Sequence, residues 1–206
     1  LMLLDDDETL LSSLKRTLSP NRAVIAFTST TNAYQRIMQS YSICEQAFSM
    51  FEPYSHEIEG AENGDDLVLI KSAKLEQLCT SPDKYNIISV AIIDQIMPRI
   101  SGTEFCKQIE ETGVKKILLT GKMSNPETID AFNEGLIDGY VSKNDPAIKE
   151  KLQTLISKLH LEFIQEQKEH IARAFDASHR QFLGHHAISY ILEAAGAKFA
   201  FSEYFY

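Results

Sequence analysis

Six polar residues in this sequence lie at the ends of short apolar runs. Their side chains could together accept a phosphoryl group and bind its oxygens. They are Asp5, Asp6, Asp7, Asp94, Thr120 and Lys143. Clustered carboxylates repel one another unless a cation neutralises them, and oxygen ligands of this kind suit Mg²⁺. A carboxylate beside Mg²⁺ can attack phosphorus, and a hydroxyl and an ammonium can then contact the new phosphoryl oxygens. These residue types therefore predict reversible phosphorylation of a carboxylate.

The elements that would bring these residues together are short strands, each followed by a helix. The apolar runs that predict strands are Leu1–Leu4, Ala23–Thr28, Ile87–Ile93, Lys116–Leu119 and Asp138–Ser142. Helical spacing or a helix-starting proline predicts helices at Thr9–Leu18, from Asn32, at Thr103–Glu111, from Pro126 and from Pro146. This alternation predicts an α/β fold with a doubly wound parallel sheet, whose carboxyl edge carries the ligand site.

Residues from about 40 to 84 do not fit this alternation, and we predict that they form a helical insertion. Glu59–Asp66 contains Gly60 and Gly64, which predicts a loop. Val68–Cys79 is predicted to be helical or mixed.

Four motifs follow one another along the chain. They are Leu3–Asp7, Asp94–Gly102 with the pattern Asp-x-x-Met-Pro-x-x-x-Gly, Leu118–Gly121, and Gly139–Lys143. Together they resemble the receiver domain of response regulators in two-component signal transduction. The resemblance covers residues 1–160 apart from the insertion, and it implies a flavodoxin-like, five-stranded parallel sheet.

The resemblance implies a role for each acid of the predicted site. Asp94 matches the phosphoacceptor, which would take a phosphoryl group from a sensor histidine kinase or a phosphotransfer protein. Asp6 would bind Mg²⁺ directly and Asp5 mainly through water, while the backbone carbonyl of Ile96 would be a further ligand. The chain would then be a phosphorelay signalling protein, and its only chemistry would be its own phosphorylation and dephosphorylation.

The resemblance also implies a switch at the other two strand ends. Thr120 and Lys143 would contact the phosphoryl group. Tyr140 would be the aromatic switch residue, which turns inward as Thr120 moves towards the phosphate. The output face would be the helix after Thr120, the strand at 138–142 and the final helix.

The sequence departs from the family pattern in three places. Asp6 and Asp94 are 88 positions apart, roughly double what the fold needs to reach its third strand, which is why we place an insertion between them. Lys143 is followed by Asn144 and not by the usual proline, which argues against the usual cis peptide. Ile96 and Lys122 stand at two positions that often tune dephosphorylation, and neither could orient a water, which predicts a long-lived phosphoryl state.

Two other functions compete with the receiver interpretation. Asp5–Leu10 also fits the Asp-x-Asp-x-Thr motif of haloacid-dehalogenase-like phosphatases, in which Asp5 would be the nucleophile. That interpretation leaves Asp94–Gly102 without a role and needs a later acidic strand that residues 144–206 do not offer. The other competitor is an interaction module that works without phosphorylation, against which the complete acid set argues.

Composition narrows the possible partners. The net charge of the 206-residue chain is −9, so a nucleic-acid-binding surface is not expected. The cysteines Cys44, Cys79 and Cys106 have no metal-ligand spacing, which suggests reduced thiols and a cytoplasmic protein. No apolar run approaches the roughly 20 residues of a membrane span, so we expect no membrane contact.

The last part of the chain is predicted to be a helical extension, residues 161–206, at the start of an output domain. The stripe Ile148, Leu152, Leu155 and Leu159 would pack on the sheet. The helix could continue through Phe163 and Ile171 and pair with a second copy, which predicts a homodimer on phosphorylation. Because the chain lacks an initiator Met and stops on an aromatic run, we expect it to be trimmed.

Overall fold

A computed structural model describes residues 1–49, 51–54, 67–71, 73, 81–82, 86–121 and 126–172. Its strands are β1 (Met2–Leu4), β2 (Ile25–Phe27), β3 (Phe51–Tyr54), β4 (Leu67–Ile70), β5 (Val90–Asp94), β6 (Lys115–Thr120) and β7 (Gly139–Ser142). Its α-helices are α1 (Glu8–Leu18), α2 (Thr30–Phe48), α3 (Gly102–Gln108), α4 (Pro126–Asn133) and α5 (Ile148–Ala172).

The main sheet has five parallel strands in the order β2-β1-β5-β6-β7. The chain places β2 on one side of β1 and then returns to place β5 on the other side, so the strand order reverses between β1 and β5. Leu4 lies opposite Ile93, and Thr120 lies opposite Ser142, so these strands end at one edge. In sheets of this type the ligand site lies outside the carboxyl ends of the strands at the point of reversal, which is where Asp5 and Asp94 stand.

Helices cover both faces of this sheet, which confirms the doubly wound prediction. On one face the strands pack against α2, α3 and α4 through Ile37, Phe105 and Ala131. On the other face they pack against α1 and α5, including Leu14 and Leu152. Because both faces of the sheet are covered, β1 is wholly apolar and β5 is apolar up to Asp94, without alternating polar residues.

Side-chain caps explain where the helices near the site begin. Asp7 caps α1, Ser29 caps α2, and Ser101 forms a capping box with Glu104 at the start of α3. The turn after α3 ends at Gly113, whose positive φ of 68° suits glycine. The predicted helix Thr103–Glu111 is therefore a shorter α-helix followed by a 3₁₀ turn at Glu110–Thr112.

The insertion differs from the helical segment that we predicted. It begins as helix, because α2 continues to Phe48, but β3 and β4 then form an antiparallel pair in which Phe51 lies opposite Ile70. The stretch Val68–Cys79, predicted to be helical or mixed, thus begins in a strand. Its run of β-branched and leucine side chains suits extended backbone once a partner strand is present. The predicted loop Glu59–Asp66 lies outside the described residues.

The last helix in the described part of the chain is also the longest α-helix there. Helix α5 extends for 25 residues to Ala172, and it is continuous across residue 160, where we placed the domain boundary. Residues 173–206 of the predicted extension lie outside the described residues. Among the helices that the structure describes, none is long and apolar enough to cross a membrane.

Candidate functional site

The two buried acids of the site stand at the ends of neighbouring strands. Asp5 follows β1 and is only 1% exposed, and its backbone N–H donates to the carbonyl of Phe27 at 3.2 Å. Asp94 is the last residue of β5 and is 4% exposed. The N–H of Gln95 donates to the Leu119 carbonyl at 2.9 Å, which continues the pairing of β5 with β6 beyond Asp94. Backbone pairing therefore fixes both aspartates at the carboxyl edge.

Asp5, Asp6 and Asp94 form an acidic cluster at this edge. One carboxylate oxygen of each lies within 4.8 Å of the others, with Asp5 and Asp94 buried and Asp6 exposed. Three hard oxygen donors that converge with one side open to solvent fit a divalent cation that keeps some of its waters. The cluster therefore contains the three predicted side-chain metal ligands.

Asp7 has a different role from the two acids before it. Its carboxylate caps α1 by accepting from the backbone N–H groups of Thr9 and Leu10, and it also accepts from the Thr9 hydroxyl. The hydrogen bond from Thr9 is the main reason that the pKa of Asp7 is lowered. The acidic run thus divides between a helix cap and the site.

Lys143 bridges the two buried acids. Its Nζ lies 2.7 Å from Oδ2 of Asp5 and 2.9 Å from Oδ1 of Asp94. Burial by itself would lower the pKa of Lys143, but the hydrogen bonds to Asp5 and Asp94 outweigh it and the pKa is raised. The ammonium therefore stays protonated where it can offset negative charge on Asp94 or on a group attached to it.

The pKa of Asp94 is raised above its ordinary value. Burial is the main cause, and the charge on Asp5 adds to it, while the hydrogen bonds from Lys143 and from the backbone N–H of Ile96 act in the opposite direction. An ionised Asp94 is therefore costly in the metal-free protein, and a bound cation would relieve that cost.

We expect Asp94→Asn to raise the thermal stability of the metal-free protein at neutral pH. Because the pKa of Asp94 is raised in the folded state, stability falls as pH rises from the ordinary range of aspartate through that raised pKa. Asparagine removes this loss, so wild type and variant should differ at neutral pH and converge as pH falls below the raised pKa. Thermal unfolding in a chelating buffer over this range measures the difference. A variant less stable than wild type at neutral pH would contradict the expectation.

Thr120 and Tyr140 lie on adjacent strands but in different surroundings. Thr120 ends β6 and is buried, and its carbonyl accepts from the N–H of Lys143 at 2.8 Å. Tyr140 is half-buried in β7 opposite Leu118, and its ring meets the Phe132 ring edge-on with centroids 5.7 Å apart. Thr120 thus belongs to the acid edge, whereas Tyr140 contacts α4.

Ile96 reaches the site through its backbone. Its side chain is 76% exposed, and its N–H donates to the Asp94 carboxylate. The role of its carbonyl as a metal ligand stays a prediction.

Gln95 and Thr103 lie near Asp94, and the sequence analysis gave neither of them a role at the site. Gln95 is buried, and its side-chain oxygen accepts from the Thr103 hydroxyl at 3.0 Å, while its carbonyl accepts from the N–H of Gly102 at 3.0 Å. These contacts attach the end of β5 to the start of α3. The sequence signal for this contact is a glutamine directly after a buried strand, because a buried side-chain amide needs hydrogen-bond partners.

No family model matches the sequence, and no curated protein matches it. The structure is similar to that of the Legionella pneumophila response regulator LqsR, with a TM-score of 0.59 and 25% identity. That match covers 88% of this chain and 53% of LqsR, so this chain spans about half the length of that protein.

Two further solved structures match at lower identity and therefore inform the fold alone. A response regulator receiver domain protein from Methanospirillum hungatei has a TM-score of 0.50 and 20% identity, and the match covers 80% of this chain and 95% of that one. A protein described as adenylate cyclase from Rhodopirellula baltica has a TM-score of 0.50 and 22% identity. That match covers 81% of this chain and 93% of the other protein's chain.

Proposed function

We propose, from the receiver fold that this chain shares with response-regulator receiver domains, that it is a response regulator switched by phosphorylation of Asp94. The observation that carries the proposal is the bridge from Lys143 to both Asp5 and Asp94, at 2.7 and 2.9 Å. The bridge places an ammonium beside a buried carboxylate and an acidic cluster. An ammonium in contact with Asp94 can offset the charge that develops when this carboxylate is phosphorylated.

The proposed step is the transfer of a phosphoryl group from a phosphohistidine of a kinase or phosphotransfer protein. A carboxylate oxygen of Asp94 attacks phosphorus, and the P–N bond breaks as the O–P bond forms. The imidazole leaves with the electron pair and takes a proton from solvent. Lys143 offsets the added charge on the phosphoryl oxygens, and Thr120 supplies a hydroxyl at the same edge.

Receiver domains commonly bind Mg²⁺ at an acidic pocket, and the cluster of Asp5, Asp6 and Asp94 fits such an ion. We propose that these three carboxylates hold it, with the Ile96 carbonyl as a further ligand. When bound, Mg²⁺ would offset negative charge on the phosphoryl group during transfer. The protein's own part is to keep Asp94 and Lys143 in place.

The phosphatase alternative requires Asp5 to be the nucleophile. Asp5 is buried, its Oδ2 is 2.7 Å from Lys143, and its Oδ1 accepts from the N–H of Asp7 at 2.9 Å. Asp94 is also buried and paired with Lys143, so the residue that is phosphorylated separates the two functions. The test is to phosphorylate the protein with a small donor such as acetyl phosphate and locate the phosphoryl group by mass spectrometry. A phosphoryl group on Asp94 would support our proposal, and a phosphoryl group on Asp5 would support the phosphatase alternative.

We propose that the switch is read on α4, β7 and α5, with Tyr140 as the aromatic switch residue. Phe132 and Ile129 are exposed apolar side chains on α4, and Tyr140 packs edge-on against Phe132. A movement of Tyr140 would therefore change an apolar surface directly, which gives a partner something to recognise.

The phosphoryl state should be long-lived, because the residue two positions after Asp94 cannot orient water. The exposed Ile96 side chain offers neither a carboxylate nor a carboxamide. We expect Ile96→Asn to speed dephosphorylation by roughly tenfold or more, since a positioned polar group assists the attacking water. Loss of phosphate followed over time measures the rate, with Ile129→Asn as the control. Equal rates for wild type and Ile96→Asn would contradict the expectation.

We propose that residues 1–160 are the receiver domain and that 161–206 extend it towards an output domain. In the described part of this extension, Leu161 on α5 is 66% exposed, although it is a large apolar residue. Free thiols at Cys44 and Cys106 support a reducing, cytoplasmic compartment, and the acidic charge disfavours nucleic acid as a partner.

Phosphorylation is expected to favour a homodimer through α5. Light scattering with Mg²⁺ and beryllofluoride, a phosphoryl mimic, should then give twice the monomer mass. Leu161→Glu should keep the protein monomeric, because the dimer would have to bury the introduced charge. A wild-type protein that stays monomeric with and without the mimic would refute dimerisation and leave the receiver proposal intact.

A further inference from the structure

The loops after β6 and β7 are joined beyond the ends of the strands. The first link is the hydrogen bond from the Lys143 N–H to the Thr120 carbonyl, at 2.8 Å. The second is a side-chain contact, in which Nδ2 of Asn144 donates to the carbonyl of Gly121 at 2.9 Å. Residues 120–121 and 143–144 are therefore tied together pairwise, and these pairs include both groups that would contact the phosphoryl oxygens.

Asn144 is itself held in a well-connected turn. Its N–H donates to Oγ of Ser142 at 3.3 Å, and the N–H of Asp145 donates to the Ser142 carbonyl at 3.1 Å. The Asp145 carboxylate then accepts from the N–H of Ala147 and pairs with Lys151 on α5. The carboxamide of Asn144 is thus presented from a turn that is anchored to both β7 and α5.

Gly121 has open space around its α-carbon among the residues that the structure describes. A methyl group added there would meet no atom of those residues within 4 Å, and Gly121 is exposed. A hydrogen bond to its carbonyl is therefore an effective restraint on the first residue after Thr120. Proline, the usual residue after the lysine in receivers, has neither a side-chain donor nor an N–H and could make neither contact of Asn144.

We propose that Asn144 is a positioning residue that holds the Thr120 and Lys143 loops at the separation in which both can contact a phosphoryl group. The inference rests on the proposed function, since it concerns the same site. Asn144 acts through the Gly121 carbonyl, and its side chain contacts neither the acidic cluster nor the phosphoryl group. It should therefore affect recognition of the phosphoryl group and leave the affinity of the acidic cluster for Mg²⁺ unchanged.

The test compares two affinities in the same protein by titration calorimetry. For Asn144→Ala we expect the affinity for beryllofluoride, measured in saturating Mg²⁺, to fall about two- to tenfold, as the loss of one hydrogen bond allows. The affinity for Mg²⁺ alone should stay at the wild-type value. Asn144→Asp keeps the size of the side chain but cannot donate to a carbonyl, so it should lose at least as much affinity for beryllofluoride.

Asn133→Ala is the matched control, because Asn133 is exposed at the end of α4 remote from the carboxyl edge. It should bind both ligands as wild type does. Wild-type beryllofluoride affinity in Asn144→Ala or in Asn144→Asp would overturn the inference and leave the proposed function standing. A parallel loss of Mg²⁺ affinity would also overturn it, because it would show a merely structural role. A wild-type protein that fails to bind beryllofluoride would overturn the proposed function as well.

Discussion

Asp94→Asn is expected to abolish phosphoryl uptake and the stabilisation of the protein by Mg²⁺ with beryllofluoride. Asparagine has almost the same shape as aspartate, so the end of β5 should be preserved. Asparagine cannot act as the nucleophile, and the substitution removes one of the three carboxylates of the acidic cluster. The loss should therefore be complete both for phosphorylation and for stabilisation by the mimic.

The size of the binding effect follows from mass action. A ligand that binds only the folded state stabilises it by about 2.7 kcal/mol when it is present at about 100 times its Kd. The melting temperature of the wild type should therefore rise when Mg²⁺ and beryllofluoride are added, and that of Asp94→Asn should not. Thermal unfolding with and without the mimic measures both, and transfer from acetyl phosphate measures phosphorylation.

Asp7→Asn is the matched control for this experiment. Asp7 lies two residues after Asp5 but caps α1, and asparagine is an equally good cap. This variant should therefore respond like wild type. A response that survives in Asp94→Asn but is lost in Asp5→Asn would contradict our proposal and support the phosphatase alternative. No response in wild type would leave a receiver fold without its switch.

Gly102→Ala is expected to be the most damaging small substitution near the site. A Cβ at this position would lie 2.3 Å from the Asp94 carbonyl oxygen and 2.9 Å from both the Gln95 Cα and a methyl of Leu118. Two of these atoms are backbone and cannot rotate away, so β5 and α3 must separate. We expect the free energy of unfolding to fall by about 1–3 kcal/mol, the usual cost of overpacking.

The displaced backbone is that of Asp94 itself, so Mg²⁺ affinity should fall together with stability. Denaturant unfolding and calorimetric titration of Mg²⁺ measure the two effects. Gly121→Ala is the matched control, because the added methyl meets no atom of the described residues within 4 Å. Its stability should change by no more than about 0.5 kcal/mol. Equal stability of Gly102→Ala and wild type would show that the close approach at Gly102 is absent in solution.

The sequence by itself determined the sheet and the edge that carries the site. Strands such as Ile87–Ile93 are short, apolar and β-branched, and their alternation with helices allows few arrangements. Once the strands are parallel, the polar residues that follow them must share an edge. The positions of Asp5, Asp94 and Lys143 were therefore predictable without any knowledge of their contacts.

Local patterns could not predict the features that depend on a distant partner. The segment at 67–70 became a strand because 51–54 lies beside it, and a short apolar run does not reveal whether such a partner exists. Likewise, residue type alone did not separate Asp7 from Asp5 and Asp6, although the family resemblance implied metal binding only for Asp5 and Asp6. Their roles differ because β1 ends at Leu4 and α1 begins at Glu8, which turns Asp7 towards the helix.

Only the tertiary structure decided how the site is held together. Lys143 and Asp5 are 138 positions apart in the chain yet 2.7 Å apart in space, and the contact from Asn144 to Gly121 likewise joins loops after different strands. Hydrogen bonds and ion pairs act over a few ångströms, so which partners meet depends on strand register and loop path. Residue types therefore predicted which chemistry the site could support, whereas packing decided which side chains contact Asp94 and which connect the loops around it.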